Sequence, residues 1–190
     1  MRHSLIAMET RCRNAVYRLR GWLLSAYLRL HGCSVGRGLR CRAWPLFRSI
    51  PNQNYVIGDN VSIGNYITFE TGADGRIVIE DGVNLTQNIV IVACQEIVIG
   101  AKSGIAERVS IRDADHGTAR GMELRDQPMD CAPIRIGRSV QVSLGCTILK
   151  GANIADNAII CAHTIVGKNV NTVEHGIYFG SPPRCIGKRK

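Results

Sequence analysis

The sequence predicts an all-β domain of the parallel β-helix type, preceded by a basic helical extension and interrupted by one long loop. Three observations lead there. First, an apolar residue returns every six positions: Ile57, Ile63 and Phe69, then Ile79, Leu85, Ile91 and Ile97, then Ile99, Ile105 and Ile111, and finally Ile136, Val142, Ile148, Ile154, Ile160 and Val166. Second, a small or aliphatic residue sits four places on, as at Val61, Ile67, Val83, Ile89, Val109, Val140, Ala152 and Ala158. A period of six fits neither a single helix nor an alternating hairpin; it is the repeat of a coil to which each short strand adds one side. Third, the formal charge of +9 is concentrated in the first 50 residues, where ten Arg face Glu9 alone, while residues 51–190 hold 14 basic and 14 acidic side chains.

The extension, residues 1–50, comes first. Residues 15–30 set Trp22, Leu23, Leu24, Tyr27, Leu28 and Leu30 among Arg18, Arg20 and Arg29, the pattern of a basic amphipathic helix. Two roles are open to it: packing on the coil or on a neighbouring subunit, and contact with an anionic membrane surface. Its apolar run is far short of the ~20 residues that span a bilayer. No groove-reading motif accompanies the charge, which argues against nucleic acid. Residues 1–10 show no long apolar stretch followed by a small-residue cleavage site, so no signal peptide is expected.

The repeat domain, residues 51–190, follows. One hexapeptide buries only one or two apolar side chains, but stacked coils bury a continuous column at roughly 1.5–3 kcal/mol per side chain. An aromatic content of 5% beside 45% hydrophobic residues fits a coil too narrow for many rings. Three hexapeptides close one triangular coil of about eighteen residues, and residues 136–171 keep frame throughout. Phase shifts after Phe69 and Ile97 read as small insertions at corners. Residues 117–133 combine Gly, Pro and charges without any period and read as a loop thrown out from one corner, the kind of segment that carries function on a rigid scaffold. Pro182 and Pro183 end the repeat. The eight Cys form no C-x-x-C pair, and several fall at repeat positions where a thiol serves as a small hydrophobe. Reduced thiols in a cytoplasmic protein are expected.

The Ile-Gly hexapeptides, the segment Asp113-Ala114-Asp115-His116-Gly117 and the tail Gly180-Ser181-Pro182-Pro183-Arg184 together resemble the hexapeptide-repeat acyltransferases. The resemblance covers about residues 55–187 and is strongest to the maltose, galactoside and xenobiotic O-acetyltransferase branch, especially to acetyltransferases of surface-polysaccharide synthesis. It implies a left-handed coil, a homotrimer with active sites between subunits, and acetyl-CoA as donor with no metal. Handedness and trimerisation come from the resemblance alone; the period decides neither.

Making an ester from a thioester and an alcohol needs a base, an oxyanion donor and a held thioester. His116 matches the family's catalytic histidine, and Asp113 or Asp115 is placed to orient its imidazole. The family's donor site maps onto the backbone amide near Ser143–Leu144 as oxyanion donor, onto Ala162 beside the pantetheine, and onto Lys168 and Arg184 near the nucleotide phosphates, which require cations. Here Gln141 and Ser143 replace the Trp and Gly usual in that run. For the acceptor, Asn84 and Asn88 lie one coil before His116, and Arg112 stands at the coil edge. The expected reaction is acetyl transfer to a hydroxyl of a sugar or polysaccharide precursor, with N-acetylation of an amino sugar as the alternative. A zinc enzyme on the same coil would need clustered histidines; no H-x-x-x-x-H occurs. A non-catalytic coil would be indifferent to loss of His116.

Overall fold

A computed structural model describes residues 2–189, with side chains from Ile6 to Arg189. His3, for which the sequence suggests no role, lies outside the described side chains. A single long helix, α1 (Arg2–Leu30), leads into about seven turns of a left-handed parallel β-helix. The coil has three faces. Face I stacks Ser34–Val35, Tyr55–Ile57, Arg76–Ile79, Glu96–Ile99, Ile134–Ile136 and Asn153–Ile154. Face II runs from Arg40–Cys41 to Ile159–Ile160 and Gly176–Gly180, and face III from Leu46–Phe47 to Ile165–Val166. The first coil strand, Ser34–Val35, already lies within residues 1–50 and pairs with Val56 and Ile57.

All sixteen repeat positions and all eight second positions named above are buried. They form one core column, and the register explains why. Arg135 pairs with Asn153, and Asn153 bridges to Asn171, so those coils advance by eighteen residues with no insertion. Earlier coils are longer: Ser34 pairs with Val56, and Val56 with Val78. Every excess residue falls at the corner between faces III and I. The insertion expected after Ile97 in fact lies before it, at Cys94–Gln95.

The other two corners tolerate no insertion because each is a tight turn with a left-handed residue. Asn60, Gly82, Lys102, Ser139, Asn157 and His175 occupy that position between faces I and II. Tyr66, Asn88, Arg108, Gly145 and His163 occupy it between faces II and III. Gly145 is also required by space, since a Cβ there would meet the His163 ring.

The longer early coils hold an aromatic cluster, contrary to the expectation of a coil too narrow for rings. Phe47 stacks on Phe69 at 5.6 Å, and Tyr55 meets both edge-on. Extra residues at the III/I corner widen the section enough to admit them. Helix α1 covers this open end with Leu24 and Leu28. Gly21 permits the approach, because any side chain there would strike the Leu39 carbonyl. At the other end, Pro183–Lys188 folds back antiparallel on Gly176–Gly180 and closes the stack.

Candidate active site

The long insertion is a two-stranded arm. Ala114–His116 pairs antiparallel with Met129–Cys131, so residues expected to be wholly loop form a ribbon at its base. Successive residues on a strand alternate faces. Asp115 and its partner Asp130 therefore stand on one side of the ribbon, and His116 stands on the other. Farther out, the buried Gln127 ties the turn together: its side-chain oxygen accepts from the Ala119 amide at 2.7 Å, and its nitrogen donates to the Ala119 and Met122 carbonyls. Nothing in the periodicity singles out Gln127, because its partners are backbone groups brought near only by the turn.

The chain leaves the coil at Asp113, which is fully buried. Its carboxylate accepts from the Cys94 amide at 2.6 Å and the Gln95 amide at 2.8 Å. Both oxygens thus hold the corner of the preceding coil, and Asp113 makes no bond to His116. Asp115 reaches Lys150 at 3.4 Å on the far side of the ribbon. In this chain Asp113 clamps the preceding corner, and Asp115 pairs with Lys150 on the ribbon face opposite the imidazole. His116 itself is exposed on the arm.

Lys150 is a residue the sequence reading missed. It donates to Asp130 at 2.6 Å and pairs with Asp115, anchoring the arm to face III. The hydrogen bond and charge of Lys150 hold the Asp130 carboxyl below the usual carboxylate range, and the bond to Asp130 raises Lys150 above the usual lysine range.

A disulfide between Cys94 and Cys131 adds a third fastening at the base of the arm, with Cα atoms 6.3 Å apart. This corrects the expectation of eight free thiols. The partners lie 37 residues apart and meet only because the arm folds onto the preceding corner. The inference of a reducing compartment loses its premise at this pair. Elsewhere burial raises the thiols of Cys33 and Cys146 and pushes Cys41 up to about 11, so these remain protonated at neutral pH and are poor nucleophiles.

The donor residues fall into two groups. Ser143, Leu144 and Ala162 stack at the II/III corner, where the His163 amide donates to the Leu144 carbonyl at 3.0 Å. The Ser143 amide donates to the Ile160 carbonyl at 2.9 Å and is not free to serve an oxyanion. The Leu144 amide has no such acceptor among the described residues. Lys168 lies one face away, in a groove of about 440 Å³ beneath the arm, lined also by Asp115, Lys150, Ile165, Val170 and Pro182–Pro183. Arg184 is exposed beside Pro183, at the edge of this groove.

The acceptor residues are divided in the same way. Asn84 points outward from face II. Asn88 takes the left-handed position of the II/III corner, so its residue type already has a conformational reason. Arg112 ends a strand of face III, next to the arm, and its Nε reaches Ser110 Oγ at 3.3 Å. A single chain therefore carries His116, Arg112 and Lys168 at one corner and Asn88, Leu144 and Ala162 at another.

No family model matches the sequence. Among curated proteins, the chain is 23% identical over 139 residues to Escherichia coli WbbJ, whose name assigns it to O-acetyl transfer in lipopolysaccharide biosynthesis; the match spans 69% of this chain and 70% of that protein. It is 33% identical over 114 residues to the Saccharomyces cerevisiae protein YJL218W, named as an acetyltransferase, across 60% of this chain and 56% of that one. The fold is shared with AntD from Bacillus cereus, an N-acyltransferase solved with an amino-sugar nucleotide and coenzyme A, at a TM-score of 0.70 and 15% identity over 87% of this chain and 89% of that one. With its hexapeptide core column, its left-handed coil and these relatives, the chain is similar to the hexapeptide-repeat acyltransferases, among them sugar and surface-polysaccharide acetyltransferases.

Proposed function

We propose that this protein transfers an acetyl group from acetyl-CoA to a hydroxyl of a sugar or polysaccharide precursor, without a covalent enzyme intermediate. On this reading residues 51–190 carry the transferase site and residues 1–50 form the extension. One observation carries the proposal: an exposed histidine stands on an arm with three fastenings, whose opposite face, through Asp115, borders a groove lined by Lys150, Lys168 and apolar side chains. Apolar walls from Ile165, Val170 and Pro182–Pro183 suit a pantetheine chain, and Lys168 and Arg184 suit its phosphates. His116 takes the proton of the attacking hydroxyl, and the oxygen adds to the thioester carbonyl. The Leu144 amide donates to the oxyanion, and the departing thiolate recovers the proton from the imidazolium.

The division of these groups between two corners supports a site shared by neighbouring copies. Separate corners of one rigid coil do not converge, but corner III/I of one copy set against corner II/III of the next brings His116 to Leu144. The arm leaves the coil at the level between Asn88 and Leu144, which puts acceptor amide and donor amide on either side of the imidazole. A closed ring of three copies satisfies every such contact. A coenzyme A donor puts the reaction in the cytoplasm.

The test is release of free thiol from acetyl-CoA with a panel of glycans and amino sugars. Wild type is expected to turn over sugar alcohols, and His116→Ala to lose about 10²–10⁴-fold, the usual contribution of a general base. Full activity in His116→Ala would refute the role given to the imidazole. The N-acyltransferase AntD supports a second reading, N-acetylation of an amino sugar; turnover of amino sugars alone would establish it.

A further inference from the structure

Helix α1 has two apolar faces, and the coil uses only one. Leu24, Leu28 and Gly21 are buried on the first coil. On the opposite side, at helical spacing, Met8, Val16, Leu19, Trp22, Leu23 and Leu30 form an exposed stripe, with Trp22 65% and Leu30 86% exposed. From Ile6 to Arg20 the helix is mostly exposed, with Thr10 and Tyr17 partly covered, Arg42 over the Tyr17 ring and Arg20 bonded to the Arg42 carbonyl. At about 1.5 Å per residue, the 29 residues extend for some 43 Å.

One margin of the stripe is basic. It opens into a cavity of about 520 Å³ between helix and coil, lined by Arg18, Arg29, Arg37 and Arg40 with Trp22 at its rim. A smaller cavity of about 290 Å³, lined by Arg13, Tyr17, Arg40 and Arg42, lies between helix and coil on the side away from the stripe. Neither lining includes a carboxylate, and Glu9 is the sole acidic residue of the helix.

We propose that this face docks on an anionic phospholipid surface, with the helix lying in the interface plane, its apolar stripe among the acyl chains and lipid phosphates in the arginine cavity that Trp22 borders. Charge complementarity selects this occupant. A second copy presenting the same face would set arginine rows against each other, whereas anionic head groups supply the missing counter-charge. Apolar area plus attraction to anionic lipid is what holds such a helix, and Trp suits the head-group level. Among the described residues no helix is long and apolar enough to cross a bilayer, so the contact is peripheral.

The experiment is flotation of the full-length protein with vesicles of phosphatidylcholine alone and of phosphatidylcholine mixed with phosphatidylglycerol. Wild type is expected to float with the mixed vesicles at low salt and to stay behind with the neutral ones. The exposed pair Leu19→Glu/Leu23→Glu should abolish flotation. Arg18→Gln/Arg37→Gln should weaken partition about thirtyfold, following from ~1 kcal/mol per basic residue near such a surface. Equal binding to neutral vesicles, or flotation of the Glu pair as wild type, would overturn the proposal. So would a change of oligomeric state in the Glu pair on size-exclusion chromatography, which would assign the stripe to a second copy. None of these readouts depends on acetyl transfer, so the docking surface and the proposed reaction stand or fall separately.

Discussion

Asp113 shows how a residue type suited to catalysis can serve structure instead. In sequence it stands three places before His116, and a carboxylate near an imidazole suggests an orienting partner. In the fold it is buried, with both oxygens bonded to backbone amides at Cys94 and Gln95. Removing such a group leaves two part-buried amide donors without their acceptor, at up to about 1–3 kcal/mol each. Asp113→Ala is therefore expected to lower the midpoint of thermal unfolding measurably, with His116 still present. Unchanged stability together with lost activity would return Asp113 to the role expected from the sequence. Ser143 teaches the same lesson at a backbone amide, because its N–H is already used by Ile160.

At the scale of elements, the arm is the part that periodicity could not describe. Its ribbon, its Gln127 turn and its anchors on the coil depend on pairings across the insertion or between coils. Lys150 joins Asp115 and Asp130 to face III, so Lys150→Met should speed amide exchange severalfold over residues 114–131 and leave the coil strands unaffected. The anchor also has a pH window. Asp130, held low by Lys150, contributes fully above the ordinary carboxylate range and loses its contribution as pH falls through its lowered value. Lys150, held high, contributes fully below the ordinary lysine range and loses its contribution as pH rises through its raised value. Exchange in the arm, corrected for intrinsic rates, should thus be flat near neutrality and rise only at the acid and alkaline extremes. Asp130 is exposed and Lys150 lies partly covered at the surface, so screening by salt should weaken the anchor.

For the whole molecule, the decisive prediction concerns sharing of the site. His116→Ala removes the proposed base at one corner, and Ala162→Trp should block the proposed donor path at another. Each variant alone is expected to be inactive. Mixed and refolded together, they should regain part of the wild-type thiol release, because some interfaces then pair an intact His116 with an intact Ala162. No recovery in verified mixed oligomers would place both groups in one chain's site. Sedimentation of the wild type should give three copies. The core is simpler: Ile111→Ala, within the column, should cost about 2–5 kcal/mol.

The coil was legible in the sequence because burial within it repeats with the backbone: Ile57, Ile63 and Phe69 fall on three successive faces, and each later coil restates them. Local spacing carries that information, so it also located the interruption near residue 117 and the basic first helix. Contacts without a period stayed hidden until the chain was folded. The pairing of Cys94 with Cys131, the capture of Cys94 and Gln95 by Asp113, and the separation of His116 from Leu144 onto different corners join residues far apart in order. So does the second apolar face of α1, which appears only once the coil has claimed the first. Hydrophobic rhythm is a property of the chain, whereas direction and proximity belong to the packed object, and the site is made of the latter.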